Sequence, residues 1–194
     1  KMINNLSADL DILRPSLLPT GLEVIAHNIN RKNVNLSLFE FGKIYRKEHD
    51  VQYTEQSHLS IYVSGDAKET SWNHKAEKAD YFFIKGLCEK ILKASGIHDF
   101  GFEPTILADY EMAVNIKLNH KIIGVLGIVS EKKNKQFGIK QPVLVADIFW
   151  DEMMGNVKTN RYAYTEIIKF PTVHRDLALL VEKNISYAQV QQTA

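Results

Sequence analysis

The sequence predicts an α+β domain built around an antiparallel sheet, and three observations carry that reading. Two amphipathic helical periodicities, at 18–29 and 80–96, are set among at least five extended segments. The order is helix, strands, helix, then mostly strands, without the strict alternation that a parallel sheet needs. Two of the extended segments, 111–118 and 121–130, are separated only by Asn119-His120, the spacing of a tight antiparallel hairpin.

Each element follows from its own pattern. Leu18, Leu22, Ile25 and Ile29 recur at four-, three- and four-residue steps and make one apolar stripe, with Pro15 and Pro19 at its approach and Gly21 inside it. Over 35–48 the period drops to two, so this segment is a strand. One row holds Leu36, Leu38, Glu40 and Ile44. The other holds Phe39, Phe41 and Tyr45, so both faces are expected to be covered. Residues 57–65 give a second strand with Leu59, Ile61 and Val63 on one side. In ADYFFIKGLCEKILKASG, Asp80 is placed to cap the first turn and Gly96 to end the helix, with Phe83, Ile84, Leu87, Cys88, Ile91 and Leu92 on its apolar face. Strands follow at 100–106, 111–118 and 121–130, then a short polar helix at 131–138 and a strand in PVLVADIFW. From 153 the sequence turns polar and irregular, the pattern of a connector. IIKFPTVHRDLALLVEKN then reads as an extended segment and a strand, and an amphipathic helix begins near Ser186. One strand and one started helix cannot close a core, so this portion reads as the opening of a second domain.

Size and composition narrow the functions. The 194 residues are 45% apolar and 24% charged, enough for a sizeable core. A net charge of +1 gives no global basic field, which weighs against a stand-alone RNA-binding module. The single cysteine, Cys88, excludes a disulfide framework and fits a reducing, cytoplasmic compartment; on an apolar helix face it reads as a core thiol. No run of about 18 apolar residues predicts a membrane span. The seven histidines show no metal-ligand spacing and read as surface or hydrogen-bonded groups.

Three segments, in this order, resemble the bacterial phenylalanyl-tRNA synthetase β-subunit family: LSADLDILRPSLLPTGLEVIAHNINRKNVNLSLFEFGKIY, ADYFFIKGLCEKIL and FPTVHRDLALLVEK. The resemblance covers nearly the whole chain and marks it as a C-terminal fragment of such a subunit. It implies that residues 1–152 are a class II synthetase-like antiparallel sheet flanked by helices, regarded as non-catalytic. Residues 153–168 would be a connector, and 169–194 the truncated start of a ferredoxin-like anticodon-binding domain. It also implies a catalytic α-subunit partner in an assembly of two α and two β chains, which joins phenylalanine to its tRNA with ATP and magnesium. No cofactor is expected for this fragment alone. A subunit interface is expected on the face carrying Leu18, Leu22, Ile25 and Ile29, or on the elements beside that helix, and self-association of the isolated chain through the same surface. Lys169, His174 and Arg175, with Arg161 upstream, sit where that family roots its tRNA-facing domain; the local alternative is that Arg175 pairs with Asp176 or Glu166.

Tyr45-Arg46-Lys47-Glu48 matches the aromatic-Arg-x-Glu pattern of class II ATP sites. Glu40, Gly42, Ile44, Arg46 and Glu48 share a strand face if no bulge intervenes. Such a site needs an arginine at the α-phosphate and another, on a helix after a glycine-bearing strand, at the γ-phosphate end. The nearest match to that strand and helix, KIIGVLGIVSEKKNKQFG, carries Lys132, Lys133 and Lys135 but no arginine, and lysine lacks the planar fork. Arg46 and Glu48 therefore read as a relic ATP site. The expected function is a structural and assembly module of the ligase; the alternative is a self-contained ATP-dependent ligase-like enzyme using Arg46 and Glu48. Glu40, among apolar neighbours, needs a partner: an interface or relic-site group, or a backbone N–H or arginine within the fold.

Overall fold

The computed structural model describes residues 12–47, 53–157, 169–171, 173–185 and 187–193. The chain divides into two compact units, Lys1–Asn160 and Arg161–Ala194.

In the first unit, α1 (Leu18–Ile29) is followed by β1 (Leu36–Lys47), β2 (Tyr53–Ser64), the short β3 (Asp66–Lys68) and β4 (Glu77–Lys78), and α2 (Tyr81–Ala94). Then come β5 (Gly101–Thr105), β6 (Tyr110–Leu118), β7 (Lys121–Val129), α3 (Glu131–Gln136), β8 (Val143–Phe149) and α4 (Trp150–Met154). Six strands form one antiparallel sheet in the order β1-β2-β8-β7-β6-β5, and β3 and β4 form a separate two-stranded ribbon. Asn119 and His120 both have positive φ, 49° and 67°, as a type I′ turn between β6 and β7 requires.

Side-chain alternation sends two apolar sets to opposite faces of the sheet. On one face Ile61, Val63, Val114, Ile116, Leu126, Leu144, Ala146 and Ile148 pack with Ile84, Cys88 and Leu92 of α2. On the other, Leu36, Tyr62, Val129, Val143 and Val145 pack with Leu18, Leu22 and Ile25 of α1. The Asp80 carboxylate accepts from the Phe83 amide at 2.8 Å and caps α2. Gly96, at φ 80°, turns the chain so that the Ile97 amide bonds back to the Leu92 carbonyl at 2.9 Å. Gly21 lies within α1, where a Cβ would fall 2.1 Å from the Tyr62 ring; its smallness serves a close approach.

Three expectations need correction. The Leu18–Ile29 stripe is not offered to a partner: Leu18, Leu22 and Ile25 are buried in this chain's own core and Ile29 packs beside them, because the sheet needs an apolar lid on that face. β1 is not covered on both faces. Phe39 and Phe41 lie opposite Ile61 and Leu59, on the α2 side, yet are 77% and 55% exposed, since α2 covers β7 and β8 and stops short of the edge strand. Residues 153 and 154, read as the start of the connector, belong to α4, and Met153 is fully buried in the α2-side core.

In the second unit, 173–182 is exposed and pairs with no strand among the described residues. The expected strand has no neighbour there to satisfy its backbone groups. Leu177, Leu179 and Val181 line a cleft of about 460 Å³ with Ile185 and Val190, the latter from α5 (Tyr187–Thr193). Ser186, the expected cap of this helix, lies outside the described residues.

Candidate functional site

The α1-side face of the sheet carries a row of polar groups beyond the end of α1. Register places Glu40, Gly42, His58, Ser60 and Asp147 there, with Arg46 further along β1. β1 and β2 pair without a break from Leu36 to Lys47, so no bulge disturbs the parity that puts Arg46 on the face of Glu40 and Gly42.

Glu40 finds its partner inside the fold. Arg14 Nη1 donates to its Oε1 at 2.5 Å, and Arg14 Nε donates to the Lys43 carbonyl at 3.0 Å. The Arg14 carbonyl accepts from the Tyr45 amide at 2.9 Å, so the segment before α1 lies along the outer edge of β1. Gly42 makes room for the guanidinium, because a Cβ there would sit 2.3 Å from Arg14 Nη2. The cation that crosses this face is spent on a carboxylate of the same strand.

Next to it lies a cluster that sequence reasoning missed. His58 is 1% exposed, and its Nδ1 lies 3.0 and 2.9 Å from the two Asp147 oxygens. Ser60 Oγ donates to Asp147 Oδ1 at 2.7 Å. An ionised carboxylate only accepts, so the ring proton sits on Nδ1. Nε2 is buried with no hydrogen-bond partner among the described residues, and the imidazole packs 4.8 Å from the Phe149 ring. A histidine enclosed in this way has no access to a substrate proton; it serves to satisfy Asp147. The signal in the sequence was Asp147 itself, a charge inside VLVADIFW that needed partners. Tyr62 continues the row, its hydroxyl donating to the Leu17 carbonyl at 2.7 Å, and burial pushes that phenol's pKa up.

Arg46 is exposed and lines a surface cleft of about 380 Å³ with Ile12, Leu13, Tyr45, Lys47 and Tyr53. Glu48 lies outside the described residues. The strand and helix that sequence reading set against Arg46, β7 and α3, stand at the wrong end. β7 runs parallel to β2 and delivers α3 near the Leu36 end of the sheet, roughly 30 Å along β1 from Arg46. Lys133 and Lys135 are moreover paired, with Asp109 at 3.3 Å and Glu131 at 2.7 Å. The junction at the Arg46 end is β8–α4, on the strand beside β2. Its helix brings Asp151 and Glu152, and Asp151 Oδ2 accepts from the Ser57 amide at 2.7 Å. That helix lies on the α2 side, where Met153 joins the core and the Trp150 ring meets Phe41 at 4.9 Å, so its carboxylates stand across the sheet from the Arg46 face.

Lys169, His174 and Arg175 are exposed and outside regular structure in the second unit, whereas Arg161 and Glu166 lie outside the described residues. Among the described residues no three metal-ligating side chains cluster, and no helix is long and apolar enough to cross a membrane.

Residues 1–150 match the family described as phenylalanyl tRNA synthetase beta chain CLM domain. The phenylalanine–tRNA ligase β subunit of Bacteroides thetaiotaomicron is 37% identical to this chain, over 100% of it and 25% of that protein. That of Porphyromonas gingivalis is 35% identical over the same shares. The chain thus spans about a quarter of the length of the curated relatives it matches. Among solved structures, a pyrrolysyl tRNA synthetase from Desulfitobacterium hafniense superposes with a TM-score of 0.60 at 18% identity, covering 77% of this chain and 51% of that one. At that identity the likeness speaks for the fold alone.

Proposed function

The chain belongs to the phenylalanyl-tRNA synthetase β-chain family, and we propose that it works there as a non-catalytic assembly module. Its sheet keeps the layout of a synthetase site while its polar groups satisfy one another. One observation carries this reading: Arg14, the arginine that crosses this face, is held by the Glu40 carboxylate and the Lys43 carbonyl, so its guanidinium is committed within the fold. In this account the module binds neither ATP nor magnesium. Both serve the whole enzyme, in which a catalytic α subunit pairs with the β chain, two of each, to attach phenylalanine to its tRNA in the cytoplasm.

The surface given to the α subunit is the bare side of β1, with Phe39 and Phe41, in place of the buried Leu18–Ile29 stripe. An apolar face of this kind also allows the isolated chain to self-associate. We assign residues 1–152 to the module, 153–168 to the connector and 169–194 to the start of a ferredoxin-like anticodon-binding domain. The extended segment followed by α5 matches the order in which such a domain begins. Lys169, His174 and Arg175 would face tRNA only once that domain is complete.

The test is co-expression with the α subunit, followed by phenylalanine-dependent pyrophosphate exchange. The expected result is a stoichiometric complex, with exchange absent from this chain alone. Exchange by the chain alone would favour a self-contained enzyme.

A further inference from the structure

The β3–β4 ribbon carries a feature that the assembly role has not absorbed. Its tip is a tight turn in which the Ser71 amide donates to the His74 carbonyl at 3.0 Å and Ser71 Oγ donates to Asn73 Oδ1 at 3.1 Å. That turn holds Trp72 outermost, 96% exposed, and among the described residues its indole has no ring or hydrogen-bond partner. Tryptophan is rarely left in water to this extent. The ribbon is also fastened at its base. Asn35 Oδ1 accepts from the Asp66 amide at 2.9 Å, and Asn35 Nδ2 donates to Glu69 Oε1 at 3.1 Å. The Ala79 amide donates to the Gly65 carbonyl at 3.0 Å. Lys68 pairs with Glu77, and Lys78 with Asp66, each at 2.9 Å. Beside the base, Phe82 is 73% exposed and lines a cleft of about 240 Å³ with Ala67 and Phe83.

We propose that this tip is a protein-docking anchor, in which the Trp72 indole enters an apolar slot on the partner chain of the assembled ligase. The proposal rests on the assembly-module reading and adds to it a second contact and the residue that makes it. Charge argues for protein over RNA. Residues 66–80 hold four carboxylates against three lysines, and two of those lysines are committed to ion pairs within the ribbon. Phosphate binding draws on cations free to meet it, and stacking platforms for single strands sit in electropositive grooves. An exposed indole at the tip of a ribbon whose base is closed by ion pairs has instead the composition of an interface anchor with polar surroundings. A tethered ribbon also loses little freedom on docking. Continuity identifies the partner. Asn35, which fastens the ribbon, is four residues before Phe39, about 13 Å along the strand, so one chain seated on the bare side of β1 reaches the ribbon as well. The slot is expected to be apolar, with a neutral or basic rim and an acceptor for the indole N–H.

The experiment is hydroxyl-radical footprinting at Trp72 in the full-length β chain, alone and assembled with its α subunit, with and without tRNA. It is paired with the W72A variant in an α–β affinity measurement. Assembly is expected to protect Trp72 before any tRNA is added, and W72A to weaken association roughly 30-fold with the thermal melt of the β chain unchanged. If the two chains assemble while Trp72 stays as reactive as in the free chain, or W72A associates normally, the anchor is refuted and the module reading stands. Protection only after tRNA is added would make RNA the occupant and overturn the proposal. Protection already in the free β chain, by its other domains or by a second copy, would overturn it too. If the chains do not assemble at all, the module reading falls and the anchor with it.

Discussion

Replacing Gly21 with alanine sets two physical rules against each other. Helix propensity alone predicts a gain of about 1 kcal/mol, because alanine is the better helix former at an interior position. The structure predicts the opposite sign. The new Cβ would lie 2.1 Å from Tyr62 Cζ, 2.3 Å from Cε1 and 2.6 Å from the hydroxyl oxygen. Ordinary carbon contacts begin near 3.5 Å, so the ring or the helix must retreat by more than about 1 Å. Tyr62 is among the largest fully buried side chains, and its hydroxyl bonds the Leu17 carbonyl at the start of the helix. Overpacking of a filled core costs about 1–3 kcal/mol, and stranding a buried hydroxyl about 1–3 kcal/mol more. After the propensity gain, the net loss is about 3 kcal/mol. Urea unfolding followed by circular dichroism should show the midpoint falling by about 1–2 M with the slope preserved. In a Tyr62→Leu background the same substitution should become nearly neutral, a large coupling in a double-mutant cycle. A Gly21→Ala variant as stable as the parent, or more so, would refute the close-approach argument.

Other outcomes follow from the same geometry. Asp147→Ala removes the acceptor of both His58 Nδ1 and Ser60 Oγ and should destabilise the first unit by about 2–4 kcal/mol, read by urea or thermal unfolding. Asp80→Ala removes the cap of α2 and should cost about 1 kcal/mol in the same assay. Burial pushes the Cys88 thiol up to about 12 from its ordinary 9.0, and raises Tyr62 and Tyr110 as well. Below pH 9 these groups keep their protons folded or unfolded. Above it the unfolded chain ionises first, so stability is complete below about pH 9 and falls as pH rises towards 12, by up to about 1.4 kcal/mol per pH unit for each group. Denaturation midpoints between pH 8 and 11 test the sign, and alkylation of Cys88 at pH 8 should require unfolding.

The elements legible in the sequence were those with a long period or a local chemical signature. The stripe at Leu18, Leu22 and Ile25, the Asp80 cap, the Gly96 stop and the Asn119-His120 turn each act within a few residues, so their consequences can be read locally. The β3–β4 ribbon escaped because strands of three and two residues carry no alternation. The direction of an apolar face was also hidden. The stripe of α1 announces burial, but only the sheet order decides that it is buried against this chain, that Phe39 is left bare and that Phe41 is covered only in part, by the Trp150 ring. The polar row was the least legible. His58 and Asp147 are 89 residues apart and meet only because β2 and β8 are neighbours. For the same reason, the cation expected opposite Arg46 was sought on α3, which follows a glycine-bearing strand but leaves the sheet at its other end.

The central claim is that the Arg46 face takes no part in catalysis. Its most direct measurement is aminoacylation by the assembled α–β enzyme carrying Arg46→Ala in the full-length β chain. Arg46 is exposed, and the arginine that crosses its face, Arg14, is bound to Glu40, so kcat/KM should stay within about threefold of the parent enzyme. A charge partner of the transferring phosphate would be worth about 100- to 1,000-fold. A loss of that size in kcat, with the α–β complex intact, would contradict the account.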